Sequence, residues 1–423
     1  MGIIKNYKDK FKKKFELLEN ENRILSGQVI DLRIKYKVIS NQKINIVFVC
    51  HRPSVWGANK TIYDFFDKNK DKCNVKIVTI PQINNGKFID EGADEFFKEY
   101  NMVKGFNKVT SEFIDLKLLE PDYIFFQQPY NGIYPQEYRS NVVSKYAKIC
   151  YVSYFNYLGN KTNNITSDEC YPIDYLKDVS LMFSQNDDEN RYLHNRLSGV
   201  QNKLTHIYQT GYPKYDDLNE YVDSESSSWN YKKTENHFRV LWTPRWTTNE
   251  NNCGFFKYKD CLLEYCNDNE KVDFVFRPHP QSWVEWDKTG ELKAEDAEIY
   301  KRKYDKIKNA SIDKNKSYLE TFYSSDCLVS DISSIIPDYI LTGKPLIYCT
   351  DDNATNKFNR RGGYSEAMYW VKNWKELKDT LDMLIKGEDP LRDKRLAIVK
   401  DYFKIEDKSG NRIGKVIMED AGI

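Results

Sequence analysis

The chain has 423 residues, of which 30% are charged, and a formal net charge of +1. This length allows two or three domains, and the balanced charge argues against electrostatic binding of nucleic acid. The sequence has neither an apolar run of about eighteen residues nor the apolar h-region of a secretory signal. The nine cysteines are scattered without a C-x-x-C pair, which indicates free thiols in a reducing cytosol and no zinc site.

Residues 1–40 are predicted to form a helix with a heptad repeat. One seam of the heptad is Ile4, Phe11, Leu18, Leu25 and Leu32. The second seam, four residues after each of these, is Lys8, Phe15, Asn22, Val29 and Tyr36. Leu at one seam with a single Asn at the other is typical of a parallel two-stranded coiled coil, since a buried Asn pairs with its twin in one register. We therefore expect homo-oligomerisation through residues 4–36. The alternative is a lone amphipathic helix packed on its own domain.

The first turns of this helix are strongly basic. They contain Lys5, Lys8, Lys10, Lys12, Lys13 and Lys14. Such a cluster can lie against anionic lipid, at roughly 1 kcal/mol per Lys, or it can be a solvated face. The first reading gives a cytoplasmic protein that is peripheral on the inner face of the cell membrane.

From Lys43 the pattern changes to alternating strands and helices. Apolar runs predict strands at 44–50, 75–80, 123–126, 149–155, 181–184 and 205–209. Helices are predicted between them, including 61–66 and 187–197. This alternation indicates a parallel α/β domain over 43–217, whose ligands bind at the carboxyl ends of the strands. The serine-rich segment 218–236 is predicted to be a linker.

A second α/β series is predicted over 237–388. Its strands are expected at 238–242, 272–276, 327–329 and 346–348, and its helices at 258–266, 298–308 and 374–385. Residues 389–423 form a predicted helical tail, with a helix at 391–403. We therefore predict an α/β protein with two Rossmann-like lobes of the glycosyltransferase-B type, a central cleft and an N-terminal coiled-coil helix. The first lobe would bind the acceptor and the second the nucleotide.

Three strand ends of the second series carry polar residues that suit a diphosphate. They are Thr243 with Arg245, Arg277 with His279, and Ser330 with Asp331, Ser333 and Ser334. Arg can bind a diphosphate bidentately, and a helix predicted to begin at the last group would add its dipole. For the last group the alternative is an ordinary capped helix. For Arg277 with His279 the alternative is a surface pair whose hydrogen bonds are already satisfied.

These motifs resemble the CDP-glycerol glycerophosphotransferase family, which includes teichoic-acid primases and polymerases and related capsule enzymes. The likeness covers roughly residues 120–415. It is carried by Thr210–Pro213, Thr243–Trp246, Arg277–Pro280, Ser330–Ser334 through Asp338 to Gly343–Pro345, and Asp407–Ile413.

The resemblance implies transfer of a glycerol-phosphate or ribitol-phosphate unit from a CDP-alcohol to a hydroxyl of a cell-surface polymer or its lipid-linked precursor, with release of CMP. His279 and Arg277 would then stabilise the charge of the leaving CMP, and Ser333 and Ser334 would bind phosphates. Thr243 and Arg245 would lie near the nucleotide, and Asp338 near the cytidine or polyol. No metal or other cofactor is expected, since no acidic metal-binding cluster is evident.

One position departs from the family pattern. Many members carry a His-Gly pair at the end of a first-lobe strand, where this chain has 154–159 without a histidine. Asn156 can orient a hydroxyl there but cannot accept its proton. His51, at the end of the first predicted strand, is the candidate general base. The alternative is that His51 only packs its loop.

Two other functions remain open from the sequence. One is a nucleotide-sugar glycosyltransferase of the same architecture. The other is a non-catalytic assembly protein in which the coiled coil does the work, although the retained Arg277 and His279 argue against it.

Overall fold

The computed structural model describes residues 2–157, 169–198, 205–315, 317–355, 357–360, 363–403 and 408–423. The strands are β1 (Ile44–Cys50), β2 (Cys73–Thr79), β3 (Gln82–Asn84), β4 (Lys87–Ile89), β5 (Met102–Lys104), β6 (Phe106–Asn107), β7 (Glu112–Phe113), β8 (Tyr123–Phe126), β9 (Lys148–Val152), β10 (Leu181–Ser184), β11 (His206–Gln209), β12 (Phe238–Thr243), β13 (Val272–Phe276), β14 (Ala310–Ile312), β15 (Cys327–Ser330), β16 (Leu346–Cys349) and β17 (Tyr369–Val371). The α-helices are α1 (Gly2–Ile39), α2 (Lys60–Lys68), α3 (Ala93–Phe96), α4 (Ser140–Val143), α5 (Ile173–Leu176), α6 (Asp187–Leu197), α7 (Phe255–Asn267), α8 (Ser282–Thr289), α9 (Ala294–Tyr304), α10 (Leu319–Ser324), α11 (Ile336–Ile340), α12 (Trp374–Ile385), α13 (Arg392–Phe403) and α14 (Ser409–Ala421). Short 3-10 turns lie at Pro53–Ala58, Leu116–Leu119, Asn131–Ile133, Gln136–Tyr138, Pro213–Tyr215, Leu218–Tyr221, Lys233–Glu235 and Gly363–Ala367.

The described residues divide into two compact units. Unit 1 contains those up to Tyr157, those of 169–216, and 408–423. Its seven-stranded sheet has the order β11-β10-β9-β8-β1-β2-β5 and is parallel throughout. Strand β1, the first in the chain, lies inside the sheet, and the strand order reverses between β1 and β8. This is the Rossmann arrangement. These strands are almost continuously apolar because a parallel sheet is covered on both faces.

The N-terminal helix α1 packs on unit 1 through a short stretch near its end. Ile30 and Ile34 are 2% and 1% exposed, and the Lys37 ammonium donates to the buried Asp122 carboxylate at 2.9 Å. Neither isoleucine belongs to the predicted heptad seams. The helix is therefore present as predicted, whereas the coiled coil itself stays a prediction.

The predicted C-terminal tail is divided between the two units. Helix α13 belongs to unit 2, and α14 belongs to unit 1, where it packs against α2. Two glycines make the approach possible, since a Cβ at Gly410 or Gly414 would lie 2.4 Å from Thr61 Oγ1 or 2.1 Å from Phe65. The Asp216 carboxylate fixes the start of α14 by accepting from the backbone N–H groups of Ser409 and Gly410. Asp407, which the resemblance included, lies outside the described residues.

Unit 2 contains the described residues of 217–403. Its six-stranded parallel sheet has the order β14-β13-β12-β15-β16-β17. This is again the Rossmann order, with its switch point between β12 and β15. The core beside the sheet is rich in aromatic rings, and Phe255 stacks on the fully buried Trp286 at 4.2 Å between centroids.

The segment 218–236, predicted as a linker, packs on unit 2. Ser226 and Trp229 are buried, and the Trp229 indole N–H donates to Ser324 Oγ at 2.7 Å. Backbone and side-chain N–H groups of Asn230 donate to the Asp273 carboxylate. The serines that indicated a loop serve instead as hydrogen-bonding groups against α10 and β14.

The predicted α/β class, with two Rossmann-like units and an N-terminal helix, is confirmed. The short edge strands β5, β14 and β17, with three residues each, were not predicted, because three residues carry too weak a periodic signal. Across the described part of the chain, no helix combines the length and the hydropathy that crossing a bilayer requires.

Candidate active site

The site in unit 2 begins at the switch point between β12 and β15. Thr243 Oγ1 donates to Ser330 Oγ at 2.9 Å, and Ser330 Oγ donates to the Thr243 carbonyl at 2.8 Å. Both residues are buried. The two hydroxyls therefore hold the strand ends together, and the place of Thr243 near a nucleotide stays a prediction.

Asp331 organises the loop that follows β12. Its Oδ2 accepts from the backbone N–H groups of Arg245 at 2.9 Å and Gly254 at 2.7 Å. Its Oδ1 has no hydrogen-bond partner among the residues that the structure describes. Because the carboxyl is buried, its pKa is raised to about 7. Asp331 thus ties the Arg245 loop to the end of β15 from within the protein.

The Arg245 guanidinium lies over this switch point. Its Nε donates to Thr247 Oγ1 at 2.7 Å, and its Nη1 to the Ile332 carbonyl at 3.4 Å. Its Nη2 pairs with Glu250 at 2.6 Å, and 21% of the side chain is exposed. A cationic group is therefore held at the carboxyl edge of the sheet, within reach of solvent.

The turn after Asp331 differs from the predicted helix start. Helix α11 has five residues and begins only at Ile336. Residues 332–335 form a turn ahead of it. Ser333 is half-buried, with its Oγ accepting from the Ile335 N–H at 3.4 Å, and Ser334 is exposed. So short a helix offers little dipole to a phosphate, although the two hydroxyls remain at the same sheet edge as Arg245.

His279 follows β13 and presents one ring nitrogen outward. The Gln281 backbone N–H donates to His279 Nδ1 at 3.2 Å, so the neutral ring carries its proton on Nε2. The ring stacks on Trp246 at 5.5 Å, and the buried Trp286 indole donates to the Trp246 carbonyl at 2.8 Å. Partial burial, with a smaller effect of the Arg245 charge, lowers the pKa of His279. The lowered pKa favours the neutral ring, which can donate a hydrogen bond from Nε2.

Arg277 is fixed by groups that the sequence did not indicate. Its guanidinium pairs with the buried Asp313 carboxylate and lies 6.0 Å from the Tyr318 ring centroid. Asp313 also accepts from Ser228 Oγ at 2.7 Å and Thr321 Oγ1 at 3.1 Å. Only the Arg-x-His spacing was visible in the sequence, since these partners come from other elements.

Asp338 is buried, at 2% exposure, and it accepts a hydrogen bond from Tyr318 Oη. Tyr318, which it holds, lies beside Arg277. The role of Asp338 near the cytidine or polyol, which the resemblance implied, stays a prediction.

The two candidates in unit 1 are also buried. The His51 ring Nε2 lies 2.8 Å from Gln128 Oε1, and its backbone N–H donates to Gln127 Oε1 at 2.8 Å. Burial lowers the pKa of His51 to about 4. These properties favour a role in holding the β1 and β8 ends together, since so weak a base is poorly matched to neutral pH. Asn156 Oδ1 accepts from Tyr215 Oη at 2.9 Å, and 158–159 lie outside the described residues.

A family model described as CDP-glycerol:poly(glycerophosphate) glycerophosphotransferase matches residues 173–419. The chain belongs to this family. The matched range is more than half of the chain and includes the whole site in unit 2, from Thr243 to Asp338. His51 and Asn156 lie outside it.

Two kinds of relative accompany this family match. The minor teichoic acid biosynthesis protein GgaB of Bacillus subtilis is 24% identical over 277 residues, which are 58% of this chain and 27% of GgaB. The chain thus spans about a quarter of the length of that relative. In fold, the wall teichoic acid polymerase TagF matches with a TM-score of 0.53 at 15% identity, over 99% of this chain and 98% of TagF. A UDP-GlcNAc 2-epimerase from Neisseria meningitidis matches with a TM-score of 0.56 at 13% identity, over 90% of this chain and 99% of the epimerase.

In this member of the glycerophosphotransferase family, the candidate site residues form an exposed set and a buried set. Arg245, Arg277, His279, Ser333 and Ser334 reach solvent or the edge of the sheet. Thr243, Ser330, Asp331, Asp313 and Asp338 lie beneath them and are buried. The exposed set carries donors and positive charge, which suits an anionic ligand.

Proposed function

We propose that the chain transfers a glycerol-phosphate or ribitol-phosphate unit from a CDP-alcohol to a hydroxyl of a teichoic-acid-type polymer or its lipid-linked precursor, releasing CMP. The observation that carries this proposal is the set of donors at the carboxyl edge of the unit 2 sheet. Arg245, His279 and Ser333 lie there on neighbouring strand ends, within the range matched by the family model. The diphosphate of the donor would bind at this edge.

The chemistry requires a leaving phosphate to be stabilised. The acceptor oxygen attacks the phosphorus that carries the polyol, the bond from that phosphorus to the CMP oxygen breaks, and the hydroxyl proton passes to solvent. The transferred group carries charge on its oxygens throughout, so positioning and electrostatic stabilisation supply most of the rate. In our proposal His279 Nε2–H donates to an oxygen of the departing CMP, and Arg277 donates to the same diphosphate.

The buried residues preorganise these donors. Asp313 and the Tyr318 ring fix the Arg277 guanidinium, and Trp246 supports the His279 ring. A donor that is already oriented does not have to be ordered during the reaction. Arg245 begins paired with Glu250, so we propose that a bound phosphate competes with that carboxylate for the guanidinium.

Unit 1 would contribute the acceptor side. We propose that Asn156, held by Tyr215, orients the acceptor hydroxyl. For His51 the geometry supports an ordering role through Gln128, and its role as general base stays a hypothesis.

Donor binding by calorimetry tests the proposal directly. The purified chain is titrated with CDP-glycerol, CDP-ribitol, UDP-GlcNAc and UDP-glucose, each with and without EDTA. We expect micromolar binding of one CDP-alcohol that EDTA does not change, and its loss in the Arg277→Ala variant. Preference for a UDP-sugar would instead identify a nucleotide-sugar glycosyltransferase, and binding of none would favour a non-catalytic assembly protein.

A further inference from the structure

Helix α1 has two chemically different faces. The face that contacts unit 1 runs through Arg23, Ile30, Ile34 and Lys37, which are spaced so that they lie along one side of the helix. The Arg23 guanidinium donates to the Lys177 carbonyl at 3.1 Å, and the Lys37 ammonium pairs with Asp122 at 2.9 Å. The end of α1 is therefore fixed to its own chain by this face.

The opposite face carries the apolar heptad seams. Its described side chains are exposed by between 50% and 78%: Phe11, Phe15, Leu18, Leu25, Val29, Leu32 and Tyr36. The side chains of Ile4 and Lys8 lie outside the described part of the structure. The described apolar side chains of the seams therefore do not pack on their own domain, which was the alternative interpretation. Seven large apolar side chains spread over about 38 Å, at 1.5 Å per residue, leave a face that is suited to a partner.

We propose that this seam binds α1 of a second copy of the chain in a parallel two-stranded coiled coil. Four features of the sequence commit the seam to that occupant. The apolar residues repeat every seven positions, as supercoiled helices require. Leu occupies three successive positions of one seam, at 18, 25 and 32. Asn22 lies at the centre of the other seam, where it would pair with its twin. Lys14 precedes Glu19 by five residues, so in a parallel pair each Lys14 faces Glu19 of the other copy.

A lipid surface fits this face less well, although Lys10, Lys12, Lys13 and Lys14 are exposed. Glu19 and Glu21 flank the middle of the seam, and anionic lipid would repel both carboxylates. Asn22 would also have to enter the apolar layer without its partner, which is costly. A second helix of the same sequence gives Glu19 the Lys14 of the other copy and Asn22 its twin, and it leaves Glu21 at the solvated edge of the seam.

Sedimentation equilibrium of the full chain tests the proposal with two matched variants. Leu25 lies in the seam and is 58% exposed, whereas Leu17 lies off the seam on the same helix and is 57% exposed. We expect twice the mass of one chain for the wild type and for Leu17→Glu, and a single-chain mass for Leu25→Glu. Glu is a good helix former, so neither change should unfold the helix. A monomeric wild type, or dimeric Leu25→Glu, would overturn the proposal.

The orientation of the helices needs a second measurement. In a parallel pair the two residues 22 meet, so Asn22→Cys should form a disulfide-linked dimer on mild oxidation, while Leu17→Cys should not. Equal cross-linking of both variants would contradict the parallel seam. Co-sedimentation with phosphatidylglycerol vesicles then examines the lipid alternative, since vesicle binding that Leu25→Glu abolishes in a monomeric wild type would assign the seam to the membrane. None of these readouts depends on transferase activity.

Discussion

Gly254 and Asp331 lie so close together that a side chain at position 254 would collide with the Asp331 carboxyl. The Gly254 N–H donates to Asp331 Oδ2 at 2.7 Å, and a Cβ at position 254 would lie 2.6 Å from Oδ1 and 3.1 Å from Tyr258. Asp331 is 1% exposed and its carboxylate also holds the Arg245 loop, so it has no room to withdraw. This contact sets the distance between the end of β15 and the start of α7.

Gly254→Ala is therefore expected to destabilise the protein by about 1–3 kcal/mol, the usual effect of overpacking, and to weaken donor binding through the Arg245 loop. Urea unfolding and calorimetry measure the two effects. Gly132→Ala is the matched control, because no atom of the described residues lies within 4 Å of its added Cβ. Equal stability of the two variants would show that the Asp331 contact can relax.

Asp331 should also make stability depend on pH. Its pKa is raised by burial from 3.8 to about 7, so between these values the unfolded chain has lost a proton that the folded chain keeps. The free energy of unfolding then falls as pH rises through this window, by at most about 1.4 kcal/mol per pH unit. Asp331→Asn removes the effect. Its stability relative to the wild type should rise from pH 4 to pH 7 and stay constant above, and parallel urea-unfolding profiles would contradict this.

His279 is expected to act as a neutral donor through Nε2. His279→Ala should lower kcat by roughly a hundredfold, whereas His279→Gln should stay within about tenfold of the wild type, because the Gln amide places an N–H near the same point. CMP release measures both variants, and exposed His194→Ala is the control. Since lowering of the His279 pKa keeps the ring neutral, activity should not fall between pH 7 and pH 8. Equal losses in the Ala and Gln variants would exclude the donor role.

Arg277 should be needed for its planar guanidinium and not only for its charge. Arg277→Lys keeps a cation beside Asp313 but loses the rigid fork of N–H donors, so we expect at least a tenfold loss of kcat/KM with CDP-glycerol. Arg302→Lys, on the exposed side of α9, should be silent. Full activity of Arg277→Lys would reduce the role of Arg277 to long-range electrostatics.

Substitution of His51 distinguishes its two possible roles, as a general base and as a residue that orders its loop. With a pKa of about 4, it should not titrate in the pH–rate profile of transfer between pH 6 and pH 8. His51→Ala should then bind the donor normally and lose less than about tenfold in kcat, whereas loss of a general base costs roughly a hundredfold or more. A larger loss, in a variant whose unfolding transition matches the wild type, would restore His51 as the base.

The sequence by itself determined the elements and the order of the motifs. Strands such as β1, β8, β10 and β13 are short, almost wholly apolar runs, and this local pattern is enough to fix a buried parallel strand. Because the carboxyl ends of parallel strands share one edge, the motifs that follow β12, β13 and β15 could be assigned to one site before any contact was known. The heptad in α1 is likewise a local signal.

Only the tertiary structure decided which of these polar residues are buried and which are exposed. Thr243 bonds to Ser330, which is 87 residues away, and Arg277 pairs with Asp313, which is 36 residues away. Such pairings depend on how the strands are ordered in the sheet, which no local pattern encodes. The same holds for Asp338 beneath Tyr318, for α14 against α2, and for the face of α1 that meets unit 1. The sequence gives the type of each side chain, whereas packing between distant segments determines its hydrogen-bond or ion-pair partner.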